Sequence, residues 1–287
     1  MLSKPLPDLN AWIDHFAGTG IPVLRRTARR LSALRENMDT LNAQDVAAVI
    51  EEDPLMTLRV LSHMSSHRSS RQRSEIESVA GAILMMGMPN FFRTFSDLPL
   101  VEDTLRKYPK AHLGLLRVIA RAHRAAGFAL DWAVYRRDLD IREIVLAARL
   151  HDMAEMLLCC FAPSLAVGLA EELNRAPMLR SKVAQKELLG IELQDLELAL
   201  LRRWRLPELL VQMIDDAHAD HPRVRNVSCA VNLARHSAHG WDDLALPDDY
   251  RDIAQLLNTS AQHVEETLRA EYVREDPPAE PAPFTSG

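Results

Sequence analysis

IVLAARLHDMAEMLL, residues Ile144–Leu158, is the stretch that decides the fold. It is an apolar run with helical periodicity, and the adjacent pair His151 and Asp152 lies near its middle. A histidine and an aspartate are costly to bury in an apolar helix unless other groups pair with them. Both side chains can also bind a divalent metal ion. Whether this helix carries out chemistry therefore depends on the partners that the rest of the chain supplies.

The composition favours helices that pack through aliphatic side chains. Of the 287 residues, 47% are hydrophobic but only 5% are aromatic, and there are 10 glycines. A sheet-rich protein would use more β-branched and aromatic residues. No alternating strand pattern competes with the helical pattern in the first part of the chain. We therefore predict an all-α fold built as a multi-helix bundle.

Charge and cysteine content exclude several classes of protein. The net charge of −6 is unevenly spread, because residues 1–137 carry 19 basic and 14 acidic side chains while the remainder carry 15 and 26. An Arg-rich first part is usually a solvated surface, and we interpret it as one rather than as a nucleic-acid binding face. Three cysteines without zinc spacing argue against a disulfide framework. With no signal peptide and no membrane-spanning run, we expect a cytoplasmic protein that does not enter a membrane.

Capping signals divide the first part of the chain into five or six short amphipathic helices. Asn42 is a good N-cap residue, and Asp45 places an anion in the first turn that follows. Asp53 is predicted to cap another helix, with Pro54 at its first position. Ser74-Glu75-Ile76-Glu77 has capping-box spacing and predicts a helix that runs to Met86, where Gly87 stops it.

The order of these motifs resembles the HDOD domain, the HD-related output domain of bacterial signalling proteins. The resemblance covers roughly residues 20–240 and rests on IPVLRRTARRLSAL, LNAQDVAAVIEEDPLMTLRVLSHM and IESVAGAILMMGMPNFF. The chain departs from the family at residues 62–65, where Ser-His-Met-Ser replaces an Asn-Ser pair. We therefore predict an N-terminal helical subdomain over residues 1–107 and an HD-like helical subdomain over residues 108–273. The proline-rich tail, residues 274–287, is predicted to be disordered.

The resemblance also implies where a metal centre would be. The HD superfamily hydrolyses phosphate esters with a metal held by a His, a His-Asp pair and a later Asp, and His151 and Asp152 match the pair. The positions for the other ligands hold Arg117, Leu193 and Asn232, of which only the last is even a weak ligand. We predict that Arg117 pairs with Asp152 in place of a metal. His151 and Asp152 are then a remnant pair, with no metal, cofactor or catalytic residue.

We therefore predict a non-catalytic output or regulatory module of bacterial signal transduction that acts through a protein partner. A small molecule or nucleotide is a further candidate ligand. Two alternatives stay open. One is an atypical metal-dependent phosphohydrolase that acts on a nucleotide or a cyclic dinucleotide. The other is nucleic-acid binding by the Arg-rich first part of the chain.

Two further segments carry suggestive patterns. DDAHADH, Asp215–His221, is rich in metal-binding side chains, but we interpret it as a solvated turn, with metal binding as the alternative. Arg251–Tyr272 imitates a helix-turn-helix motif. Its second helix carries Glu265, Glu266 and Glu271, which would repel phosphates. We therefore predict a helical hairpin that closes the C-terminal bundle.

Overall fold

A computed structural model describes residues 1–66, 78–139, 141–176 and 179–272 of the chain. The all-α prediction is confirmed: in these residues the only β-type pairing is an isolated bridge between Val23 and Leu100. Short 3-10 turns at Met38–Thr40, Asp216–His218 and Ser237–His239 join some of the helices. The helices are α1 (Leu9–Gly18), α2 (Arg25–Glu36), α3 (Ala43–Glu51), α4 (Pro54–Ser66), α5 (Val79–Met86), α6 (Met88–Thr94), α7 (Val101–Thr104), α8 (Pro109–Arg136), α9 (Ile141–Leu150), α10 (Met153–Phe161), α11 (Pro163–Arg175), α12 (Ser181–Leu189), α13 (Leu193–Arg203), α14 (Glu208–Ile214), α15 (Pro222–His236), α16 (Leu246–Leu257) and α17 (Ala261–Tyr272).

The predicted caps form in the first part of the chain. Asn42 and Asp45 make a reciprocal capping box at the start of α3. Asp53 is fully buried, and its Oδ1 accepts from the backbone N–H groups of Leu55 and Met56 at 3.0 and 3.2 Å. Its Oδ2 accepts from the N–H of Leu24 at 2.9 Å. One carboxylate therefore caps α4 and also fixes the start of α2.

The predicted helix start at Ser74 and the predicted disordered tail lie outside the described residues. Within them, the helix predicted to run continuously to Met86 is wrong at its start, because Ser78 is extended (φ −149°, ψ 155°) and its side chain caps α5, which begins at Val79. The predicted stop is confirmed at Gly87, whose φ of 80° suits glycine. The hydrophobic core is continuous from Trp12 to Leu268. The first helix packs on α13, and the indole N–H of Trp12 donates to the Leu189 carbonyl at 3.3 Å. The division at residue 107 stays a prediction.

The long helix α8 is the centre of the chain after residue 108, because α9, α10, α11 and α15 all pack against it. The predicted continuous helix Ile144–Leu158 is wrong in one respect, because a turn at His151 and Asp152 separates α9 from α10. Asp152 has φ −104° and ψ 24°, outside the helical region. Contacts of both side chains with more distant helices outweigh the local helical propensity at this point.

The C-terminal prediction of a helical hairpin is confirmed. Helices α16 and α17 pack on each other, and Asn258 between them has a left-handed backbone with φ 53°. In the described part of the chain, no helix is by itself long and apolar enough to cross a membrane, and only a pair bent by 120° reaches that length jointly.

Candidate functional site

The turn between α9 and α10 lies at the meeting point of several helices. His151 and Asp152 are both buried there. Side chains from α8, α13, α15 and the 3-10 turn Asp216–His218 approach the pair. The break in the helix gives the two adjacent residues different directions, so that each has its own set of partners.

Asp152 is held by two arginines. Its Oδ2 accepts from Nε and Nη2 of Arg121 on α8 at 2.8 and 2.7 Å, and its Oδ1 accepts from Nη2 of Arg235 on α15 at 2.8 Å. Arg121 also donates to Glu155 at 2.6 Å. Burial alone would raise the pKa of Asp152, but the charges of Arg121 and Arg235 hold it well below its usual range. Asp152 is therefore an anion whose two oxygens are both in ion pairs.

His151 is paired with a different carboxylate. Its Nε2 lies 3.2 Å from Oδ1 of Asp216, which also accepts from the Ser228 hydroxyl at 2.7 Å. Its Nδ1 lies 3.6 Å from Asp152 Oδ1, beyond hydrogen-bond distance. Burial disfavours the protonated ring, but the surrounding carboxylates outweigh it and raise the pKa of His151 to about 10. At neutral pH His151 is therefore a cation, and its Nε2–H donates to Asp216.

Glu197 on α13 is a buried carboxyl group beside this pair, and sequence reasoning missed it. Burial raises its pKa well above the usual value, although the charge of His151 opposes the shift. Its Oε1 has no hydrogen-bond partner among the described residues. A signal did exist, because Glu197 lies within the buried stripe of α13 formed by Leu193, Leu196, Leu200 and Leu201. A carboxylic acid in such a stripe indicates an unusual environment.

Asp152 does pair with an arginine of α8, but the prediction that this arginine is Arg117 is wrong. Arg117 is exposed on α8, and Arg121, one helical turn later, makes the pair instead. Arg235 was not anticipated at all. Of the other two positions indicated by the resemblance, Leu193 is buried and apolar, and Asn232 is half-buried on α15. Among the described residues, neither has a side-chain hydrogen bond to His151 or Asp152.

The cluster DDAHADH is more than the solvated turn that the sequence predicts. Asp216, its second residue, turns towards α9 and binds His151. Burial opposes its ionisation, but the hydrogen bond from His151 lowers the pKa of Asp216 to about 2. Asp215 caps the 3-10 turn through the N–H of Ala217 at 3.1 Å. Asp216 follows this cap and points inwards to His151, which the composition of the segment alone does not reveal.

The donor set does not fit a divalent metal ion. The carboxylates of Asp152 and Glu155 are already paired with guanidinium groups, those of Arg121 and Arg235. The described residues contain no group of three or more His, Cys, Asp or Glu side chains that is arranged to hold a metal ion. A metal at His151 would have to compete with guanidinium groups already in contact with Asp152.

Comparisons with known proteins give one family and several similar folds. A family model described as the HDOD domain matches residues 21–220. The fold is similar to the MmoQ response regulator of Methylococcus capsulatus, with 17% identity, a TM-score of 0.65 and coverage of 88% of this chain and 99% of that one. A virulence factor of Campylobacter jejuni matches with 20% identity, a TM-score of 0.60 and coverage of 88% and 90%. An HDOD domain protein with unknown function from Geobacter sulfurreducens matches with 17% identity, a TM-score of 0.50 and coverage of 93% and 96%. No curated protein matches the chain significantly.

Proposed function

Because the chain belongs to the HDOD domain family, we propose that it is a non-catalytic regulatory output module of bacterial signal transduction, acting through a protein partner. The family supports a signalling role, and the similar fold of a protein described as a response regulator agrees with it. The observation that carries the non-catalytic part is the occupation of both Asp152 oxygens by Arg121 and Arg235.

Electrostatics explains why this arrangement opposes metal-dependent chemistry. A divalent ion next to His151 needs an anionic ligand and a neutral imidazole with a free lone pair. Here both oxygens of Asp152 are already paired with guanidinium groups, those of Arg121 and Arg235. A bound ion would have to displace at least one of these arginines, and the other guanidinium group would repel it.

Metal binding tests the proposal directly. We expect protein purified without chelator to contain far less than one equivalent of iron, manganese or nickel by elemental analysis. Calorimetric titration with Mn²⁺ should show no binding to wild-type protein. The protein should also release no product from bis-(p-nitrophenyl) phosphate or from a cyclic dinucleotide.

The contrary result would favour the phosphohydrolase alternative. Stoichiometric metal, together with hydrolysis that Asp152→Asn abolishes and Glu155→Gln retains, would refute the proposal. The second variant is the matched control because Glu155 contacts the same arginine, Arg121, from a more exposed position.

Contacts of the Arg-rich helix α2 do not favour the nucleic-acid alternative. Arg25 pairs with Asp103 at 2.7 Å, and Arg30 pairs with Glu52. These carboxylates reduce the positive field that phosphates would require. We expect no salt-dependent binding of duplex or single-stranded DNA in an electrophoretic mobility assay, and a strong dependence on salt would overturn this expectation.

A further inference from the structure

A groove with both apolar and acidic side chains lies between the C-terminal part of α8 and the end of α17. Its walls carry exposed side chains on successive turns of α8. Leu130 is 41% exposed and Val134 is 56% exposed, while the adjacent Tyr135 is 67% exposed. Residues four apart on a helix are neighbours on one face, so Leu130 and Val134 form a continuous apolar strip. The lining residues of the groove are Leu130, Asp131, Val134, Glu271 and Tyr272.

Contacts of Tyr272 join the two walls of the groove. Phe128 and Trp132 anchor α8 in the core on its opposite side, so that Leu130 and Val134 face away from the core. The Tyr272 ring packs edge-to-face on Phe128 with 4.9 Å between centroids, and its hydroxyl donates to Asp131 Oδ2 at 2.9 Å. Leu130 and Val134 therefore offer an exposed apolar contact next to the wall that Tyr272 forms.

The charge of the groove indicates the chemistry of its occupant. Both charged residues that line it, Asp131 and Glu271, are acidic. Within the described ranges, neither carboxylate forms a salt bridge with a basic side chain. An occupant with apolar residues on one face and lysine or arginine beside them would satisfy both the strip and the carboxylates. An acidic occupant would be repelled.

We propose that this groove is the docking site for an amphipathic, basic helix of a partner protein. Apolar residues one turn apart on that helix pack on Leu130 and Val134, and its cations reach Asp131 and Glu271. The inference rests on the proposed function and deepens it, because it assigns the surface that the partner uses and the chemistry by which the partner is recognised.

A synthetic helix tests the groove with the full-length protein. The probe is a fluorescein-labelled amphipathic peptide of leucine and lysine, and its matched partner has glutamate in place of every lysine. In fluorescence anisotropy we expect the lysine peptide to bind, with an affinity that falls as salt is added. The glutamate peptide should not bind. Val134→Asn should weaken binding by about tenfold, because it replaces an apolar contact with a polar one. Asp131→Asn should weaken binding and reduce its dependence on salt.

The control variant is Leu116→Asn, at a 41% exposed position near the other end of the same helix. It should leave binding of the lysine peptide unchanged. Equal binding of the two peptides, or equal losses in Val134→Asn and Leu116→Asn, would overturn the inference. A wild-type dimer in sedimentation that Val134→Asn dissociates would overturn it too, because the occupant would then be a second copy.

The peptide experiment and the metal experiment can refute their two proposals independently. The peptide assay uses metal-free protein and measures no turnover. Metal binding with hydrolysis would therefore refute the non-catalytic role whatever the groove does. Absence of binding of the lysine peptide would refute only the docking site.

Discussion

Replacing Asp152 with asparagine distinguishes an ion-pair network from a metal site more sharply than any activity assay. The Asp152 side chain is 8% exposed and that of Arg121 is 16% exposed, so their contact is shielded from solvent. Asparagine keeps the shape but loses the charge, and its amide group points hydrogens at one of the two guanidinium groups. A buried cation thereby loses its main partner.

The expected loss follows from the exposure of each partner. Breaking a buried ion pair by removing one member costs about 3–5 kcal/mol. Glu155 still contacts Arg121 in the variant, and this reduces the loss. Arg235 is 40% exposed and can turn to water, so its bond adds about 0–1 kcal/mol. We therefore expect Asp152→Asn to lower the free energy of unfolding by about 2–4 kcal/mol.

Urea unfolding in metal-free buffer, followed by circular dichroism and tryptophan fluorescence, measures this loss. With an m value of about 3 kcal/mol/M, the midpoint should fall by about 1 M. Glu155→Gln, the control at a half-exposed position, should cost less than about 1 kcal/mol. Added Mn²⁺ should leave the wild-type midpoint unchanged, because a ligand stabilises only the state that binds it. If Asp152→Asn were as stable as the wild type or more stable, Asp152 would be a repelled member of an acidic metal site, and the reasoning would be refuted.

Three further outcomes are expected from the same unfolding assay. The folded pKa of His151 is about 10 and its ordinary value is 6.5, so the stability that it contributes is complete below about pH 6.5 and is lost as pH rises towards 10. Between these pH values the free energy of unfolding of His151→Gln should therefore fall less steeply than that of the wild type, and parallel curves would contradict this. The pKa of Glu197 is raised by burial, so above pH 4.5, its ordinary pKa, folding requires the uptake of a proton. Glu197→Gln should therefore become more stable relative to the wild type as pH rises. A difference in stability that does not change with pH would contradict a buried, neutral Glu197. Asp53→Ala should cost about 2–4 kcal/mol, because it removes the cap of α4 and the acceptor of the Leu24 N–H; a loss below 1 kcal/mol would count against this cap.

The local features of the fold were predictable because their causes are local. The Asn42 capping box, the Asp53-Pro54 step and the Gly87 stop each depend on side chains within a few residues of the backbone that they control. The turn at His151 and Asp152 was not predictable in this way. Its cause lies in Arg121, Asp216 and Arg235, which are between 31 and 83 residues away in the chain. No helical periodicity contains that information.

The errors at the site follow one pattern, and helix geometry explains it. The resemblance indicated Arg117, Leu193 and Asn232, whereas the structure places Arg121, Glu197 and Arg235 beside the pair, each three or four residues later on the same helix. Side chains on a helix lean towards its N-terminus, so a long side chain covers the turn before its own Cα. A short metal ligand must project from the turn that faces the site, while arginine and glutamate reach the same point from the next turn. The long side chains beside the pair therefore come from positions one turn after those that the resemblance indicated.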